Sequence, residues 1–194
     1  MSKRRHLPPA TDQSTPDDHL APVLEFLRRH DIDHGPVTPE SCPWRGAIRS
    51  VSLGLQLIHF TATTAEITAT ATALALTVRL PLRAPAGLRP RILECLQALN
   101  LTGHHLQFLL DPSDGTILCR QLIDCSETAM TAERFNTCFC RQLVAIDGMA
   151  LALFAILGGG VRPESAPELA HAAAVAFFTD ARLSPPPGAD PSRN

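Results

Sequence analysis

The sequence predicts an α+β domain: an antiparallel sheet with helices laid against it, in the order α-β-β-β-α-β-β-α, followed by a C-terminal helix. Two helical patterns frame it. Leu20, Val23, Leu24 and Leu27 recur at helical spacing near the N-terminus, and Phe135, Phe139, Leu143, Ile146, Ala150, Leu153 and Leu157 do so over a longer run. Between them the period falls to two. Val51, Leu53, Leu55 and Leu57 alternate with Ser50, Ser52, Gly54 and Gln56, and Leu74, Leu76, Val78 and Leu80 alternate in the same way. A hairpin signal, DPSDG at 111–115, then separates two more apolar segments, with Gly115 able to take positive φ.

Each element follows from its punctuation. Residues 1–16 are rich in Pro, Ser, Thr and Asp and are expected to be a disordered tail, as is LSPPPGADPSRN at 183–194. Asp17 or Asp18 caps the first helix, and HDIDHGP ends it with Gly35 and Pro36. A strand begins at Ile48. The Ala/Thr stretch 61–72 supplies a turn and a second strand, and the third, 74–80, is closed by Pro81 and Pro85. Leu88, Ile92, Leu96 and Leu99 mark a second helix ending near 100–103. Leu106, Phe108 and Leu110 form one arm of the hairpin and 116–124 the other. Thr131 opens the long helix, which Gly158, Gly159 and Gly160 stop. The domain therefore runs over 17–160, and an amphipathic segment with Leu169, Val175, Phe177 and Phe178 makes a helical extension at 161–182.

Composition narrows the function classes. A chain of 194 residues, 45% hydrophobic and 19% charged, suffices for one domain with a proper core. A net charge of -2, with Lys3 the only lysine and the arginines scattered, gives no reason to expect a nucleic-acid partner. The basic start MSKRRH is followed by LPPATDQSTPDDHL, which has no apolar core of a signal peptide. The apolar run 143–157 contains Asp147 and falls short of the roughly 20 residues a bilayer requires, so no membrane association is expected. The expectation is a cytoplasmic protein whose six cysteines stay reduced.

Candidate chemistry centres on cysteine and histidine. Cys119, Cys125, Cys138 and Cys140 crowd into one stretch, and a zinc site needs four ligands converging at about 2.0–2.3 Å. Cys119 and Cys125 would lie about 20 Å apart along an extended strand. Cys138 and Cys140 sit about 200° apart around a helix. Neither pair chelates from its own element, so these cysteines, with Cys95, read as small buried hydrophobes. His30 and His34 would form an i, i+4 metal pair only if the first helix continued past Gly35. His104 and His105 point to opposite sides. No nucleophile elbow, phosphate loop or dinucleotide fingerprint is present, so no catalytic residue, metal or cofactor is assigned. What remains is apolar surface: Leu20, Leu24 and Leu27 on the first helix, with Val51, Leu53, Leu55 and Leu57 on the first strand, could line a groove for a partner polypeptide. The competing reading of the same residues is core packing.

The element order resembles the type III secretion chaperone-like fold. Within it, LQALN (96–100), LQFLLD (106–111), DPSDG, its return strand, TAERF (131–135) and LVAID (143–147) are similar to the YbjN-like bacterial sensory transduction regulators. The resemblance implies a non-enzymatic, bacterial domain that pairs as a homodimer and acts as a regulator or chaperone of a partner polypeptide. The alternatives are a dedicated type III secretion effector chaperone, and a metal-dependent enzyme using His30, His34 and some of the cysteines.

Overall fold

A computed structural model describes residues 15–42, 46–56, 61–102, 106–158 and 160–183. Apart from 15, 16 and 183, which lie at helix ends, both expected tails fall outside these residues. The elements are α1 (Pro16–Arg29), β1 (Thr38–Cys42), β2 (Gly46–Gln56), β3 (Thr61–Ala69), β4 (Ala73–Arg83), a 3-10 turn (Ala86–Leu88), α2 (Arg89–Thr102), β5 (Leu106–Leu110), β6 (Thr116–Asp124), α3 (Ala132–Leu157), a second 3-10 turn (Pro163–Ser165) and α4 (Ala166–Leu183). The protein is α+β: six antiparallel strands in the order β1-β2-β3-β4-β6-β5, with helices packed on the sheet.

The first helix starts earlier than its aspartates suggest. Thr15 is the N-cap and Pro16 takes the first helical position, where a missing N–H costs nothing. Asp18 reaches back instead, its carboxylate accepting from the Thr15 N–H at 2.6 Å and from the Thr15 hydroxyl at 3.0 Å. The helix also ends earlier than Gly35. Asp31 adopts a left-handed φ of 52°, and the Ile32 N–H turns back to the Leu27 carbonyl at 2.9 Å.

One strand had no sequence signal. β1, TPESC, pairs with β2 from Thr38 opposite Ser50 to Cys42 opposite Gly46, and Pro39 suits its place at the sheet edge. At the other end β4 runs through Pro81 to Arg83. Its pairing with β6 shifts register between Arg79 and Arg83, so Pro81 falls where no ladder donor is demanded.

Alternation decides which sheet face is inner. Val51, Leu53, Ala65, Ile67, Leu74, Leu76, Val78, Leu80, Ile117, Cys119 and Ile123 are buried and face the helices. α1 lies on β2 and β3, α2 on β5, and α3 on β6 and α1. Phe26 of α1 meets Phe135 and Phe139 of α3 edge-on, with ring centroids 5.3 and 6.2 Å away. α4 packs on α3 and α2, and Ala166 is fully buried. A Cβ added at Gly148 would stand 2.8 Å from the Ala170 carbonyl oxygen, so glycine is what lets α4 approach α3. Val161, Ala166, Leu169 and Ala170 of the 161–182 segment thus belong to the same core.

The hairpin turn matches its sequence. Gly115 has φ 79°, and its carbonyl accepts from the Ala84 N–H at 2.7 Å. Asp111 accepts from Ser113 and Asp114 from Thr116, each through backbone and side chain. Arg79 lies 3.6 Å from Asp111 and 3.9 Å from Asp114, and Arg83 3.9 Å from Asp114.

Candidate interaction surface

The groove expected between the first helix and first strand is closed. Leu20, Leu27, Val51 and Leu53 are each at most 2% exposed, because α1 lies directly on the inner face of β2. Leu24 is half-buried against the same cluster. Leu55 lies on β2, whose pairing shifts register between Leu53 and Leu55, and Leu57 lies outside the described residues. Leu20, Leu24, Leu27, Val51 and Leu53 hold the core together rather than presenting surface.

The metal candidates separate. His30 is the C-cap of α1 and rests on Phe26 with ring centroids 4.4 Å apart, while His34 lies beyond the left-handed Asp31 in an isolated bridge to Leu53. His104 and His105 lie outside the described residues. Among the described residues, no group of three or more His, Cys, Asp or Glu is placed to hold a metal ion. Cys95, Cys119 and Cys125 are buried, Cys138 is half-buried and Cys140 exposed. Burial pushes the Cys95 thiol up to about 11 and the Cys119 thiol up to about 12. Burial also raises Cys125, with Asp124 and Cys138 adding to it, and it raises Cys138. A raised thiol is a poor nucleophile and a poor ligand.

The polar groups missed by periodicity are buried ones. Gln142 of α3 is fully buried, and its amide donates to the carbonyls of Leu76 at 3.2 Å and Cys119 at 2.9 Å. His19 is 1% exposed, and its Nε2 donates to the Ala71 carbonyl at 3.1 Å. At the β5 edge the Asn100 side chain accepts from the Phe108 N–H at 2.7 Å and donates to its carbonyl at 2.9 Å. That amide takes the place of a neighbouring strand, so the edge is blocked at its centre.

Surface apolar groups gather in two places. One is the far side of the sheet, where β5 and β6 present Leu109 and Leu122, the latter 57% exposed, with Leu118 half-buried opposite Leu109. Among the described residues no helix covers this side. The other is the second half of α3, where Leu151, Phe154 and Leu157 follow one another at three-residue steps and the first two are 57% exposed. That stripe lies off the one formed by Phe135, Phe139, Ile146, Met149 and Ile156, which is buried. A helix apolar on more than one side was the signal that could have revealed it.

A groove of about 940 Å³ also opens at the end of the β5–β6 hairpin, lined by Asn100, Gln121, Arg134, Thr137, Cys138 and Arg141 among others. Arg134 is committed there to main chain, donating to the Asp124 carbonyl at 2.7 Å and to that of Thr128.

α3 has 26 residues, and its most apolar stretch has a mean hydropathy of 1.7, long and apolar enough to cross a bilayer. The run 143–157 omits its first three turns, which is why it fell short of that length. In this fold the helix lies on the sheet with Gln142 bonded to it.

No protein-family model matches this chain, and no curated protein or solved structure matches it either. Among the described residues, the fold and surface define an α+β domain with an uncovered sheet face and an uncovered apolar helix stripe.

Proposed function

We propose that this chain is a non-enzymatic, cytoplasmic protein-binding domain that acts as a regulator or chaperone of a partner polypeptide, in the manner of the YbjN-like and type III secretion chaperone-like proteins it resembles. The observation that carries the reading is the α3 stripe. Two side chains more than half exposed, Leu151 and Phe154, with Leu157 beyond them, stand on a helix already anchored to the core. Exposed apolar side chains that cluster on a rigid element mark a binding site for another apolar surface. Steps of three residues match an amphipathic helix or an extended apolar segment of a partner. The raised thiols of Cys95 and Cys119 support the same side of the choice, since they suit packing better than catalysis.

The test is co-purification of the tagged full chain from its own cells, with and without the paired substitution Leu151→Asp/Phe154→Asp. The reading expects one polypeptide in stoichiometric amount with the wild type and its loss in the variant, while far-UV circular dichroism stays unchanged. Stoichiometric zinc or iron in the purified protein would favour the metal-enzyme alternative. A co-purifying polypeptide carrying a secretion signal would single out the effector chaperone.

A further inference from the structure

The uncovered sheet face has an arrangement of charge and side-chain size with a use of its own. Cross-strand register places Ser52, Glu66, Thr77, Arg120 and Gln107 in one row across β2, β3, β4, β6 and β5. The neighbouring row holds Ser50, Thr68, Ala75 and Leu122. These side chains point away from the helices, because Val51, Ile67, Leu76, Cys119 and Phe108 between them point inward. Glu66 and Arg120 are both exposed and occupy matching positions one strand to either side of β4. With strands about 4.8 Å apart, their backbones lie about 10 Å from each other. At that separation, and as exposed charges, they have little to offer one another within the chain. On this face the first half of β4 between them carries Ala73, Ala75 and Thr77 and is low and flat, with Arg79 following at mid-strand.

We propose that a second copy of this chain packs its sheet face-to-face on this one, about a two-fold axis running along β4. Such an axis exchanges the two sides of β4. It sets Glu66 of one copy over Arg120 of the other, twice, and Ser52 over Gln107, while Thr77 and Ala75 meet their own equivalents. Leu122 falls over Thr68, and its exposed apolar surface is covered. Small residues on the axis allow the roughly 10 Å approach of packed sheets, which lie within about 30° of parallel. An isologous contact of this kind requires a self-complementary patch, and one acid and one base placed symmetrically about the axis meet that requirement. Arg79, next to Thr77 along the axis, and Arg83, at the end of β4, would meet their own equivalents, but Asp111 and Asp114 of the same chain already neutralise them. Asp124 lies in the row of Ala73, beside β4 at its opposite end. The pairing uses a different surface from the α3 stripe and stands or falls separately from it.

Sedimentation velocity on the full chain at micromolar concentrations tests this. The wild type should be a dimer. Glu66→Arg and Arg120→Glu should each weaken it about tenfold or more, since each places two like-charged pairs across the contact. An equimolar mixture of the two variants should re-form a dimer containing one of each, because every cross pair is then Arg opposite Glu. A monomeric wild type overturns the proposal. So do variants that dimerise like the wild type, or a mixture that stays monomeric. A monomer that still binds a polypeptide through Leu151 and Phe154 would leave the proposed function standing.

Discussion

The side-chain amide of Gln142, at the middle of α3, stands 2.9 Å from the carbonyl oxygen of Cys119 on β6 and donates to it. The same nitrogen reaches the Leu76 carbonyl of β4 at 3.2 Å, so one side chain ties the long helix to two neighbouring strands of the sheet. Gln142→Ala should cost about 2–4 kcal/mol, combining lost hydrogen bonds with a core cavity. Gln142→Met fills the space and removes an Oε1 that has no hydrogen-bond partner, so it should cost only about 1 kcal/mol. Urea denaturation of both variants separates the tie from the packing: equal losses would show that the hydrogen bonds dominate.

Gly148 and Ala170 set a second test. Gly to Ala inside a helix ordinarily gains about 0.5–1 kcal/mol. Here the new Cβ would stand 2.8 Å from the Ala170 carbonyl oxygen, against backbone that cannot swing aside. Overpacking of that kind costs about 1–3 kcal/mol, so steric conflict should outweigh propensity and Gly148→Ala should destabilise. Hydrogen exchange should quicken selectively in α4.

Asn100 guards the β5 edge. Asn100→Ala leaves the Phe108 N–H and carbonyl without their side-chain partners, at about 1–2 kcal/mol, and opens a strand edge for pairing. Lower stability together with concentration-dependent light scattering is the expected outcome; lower stability alone would mean that the edge is protected by something else.

Thiol reactivity should follow burial. With iodoacetamide near neutral pH, peptide mapping should find Cys140 labelled well before Cys95 and Cys119, whose thiols are pushed up to about 11 and about 12. Early labelling of Cys119 would contradict its place under Gln142.

Acid should attack the hairpin turn. Hydrogen bonds from Ser113 hold the Asp111 carboxyl below its ordinary 3.8, and bonds from Thr116 do the same for Asp114. A depressed folded value means that the ionised form is favoured by folding. The stabilisation is therefore present above the unfolded value and is lost as pH falls through the folded one. Thermal melts should decline between about pH 4 and pH 2, and Asp111→Asn/Asp114→Asn should flatten that decline.

Much of this architecture is legible in sequence because one-sided burial imposes its period. Val51 and Leu53, or Leu74 through Leu80, alternate because, among the described residues, the helices pack on one sheet face. Gly115 and Thr131 announce a turn and a cap through local chemistry that tertiary packing does not alter. TPESC stays hidden because an edge strand with Pro39 needs no apolar alternation. Leu20 and Val51 suggested a groove because periodicity tells which side is apolar but not what covers it. Gln142 and His19 look like surface residues until the fold places carbonyls against them. Leu151 and Phe154 were obscured by the buried stripe beside them on α3.

The protein-binding reading is tested most directly by a photo-crosslinking amino acid placed at Phe154 in the full chain, in its own cells, with Pro112 on the hairpin turn as the control position. The account predicts one defined polypeptide adduct at Phe154 and none at Pro112. The same adducts at both positions, or none at Phe154, would contradict it.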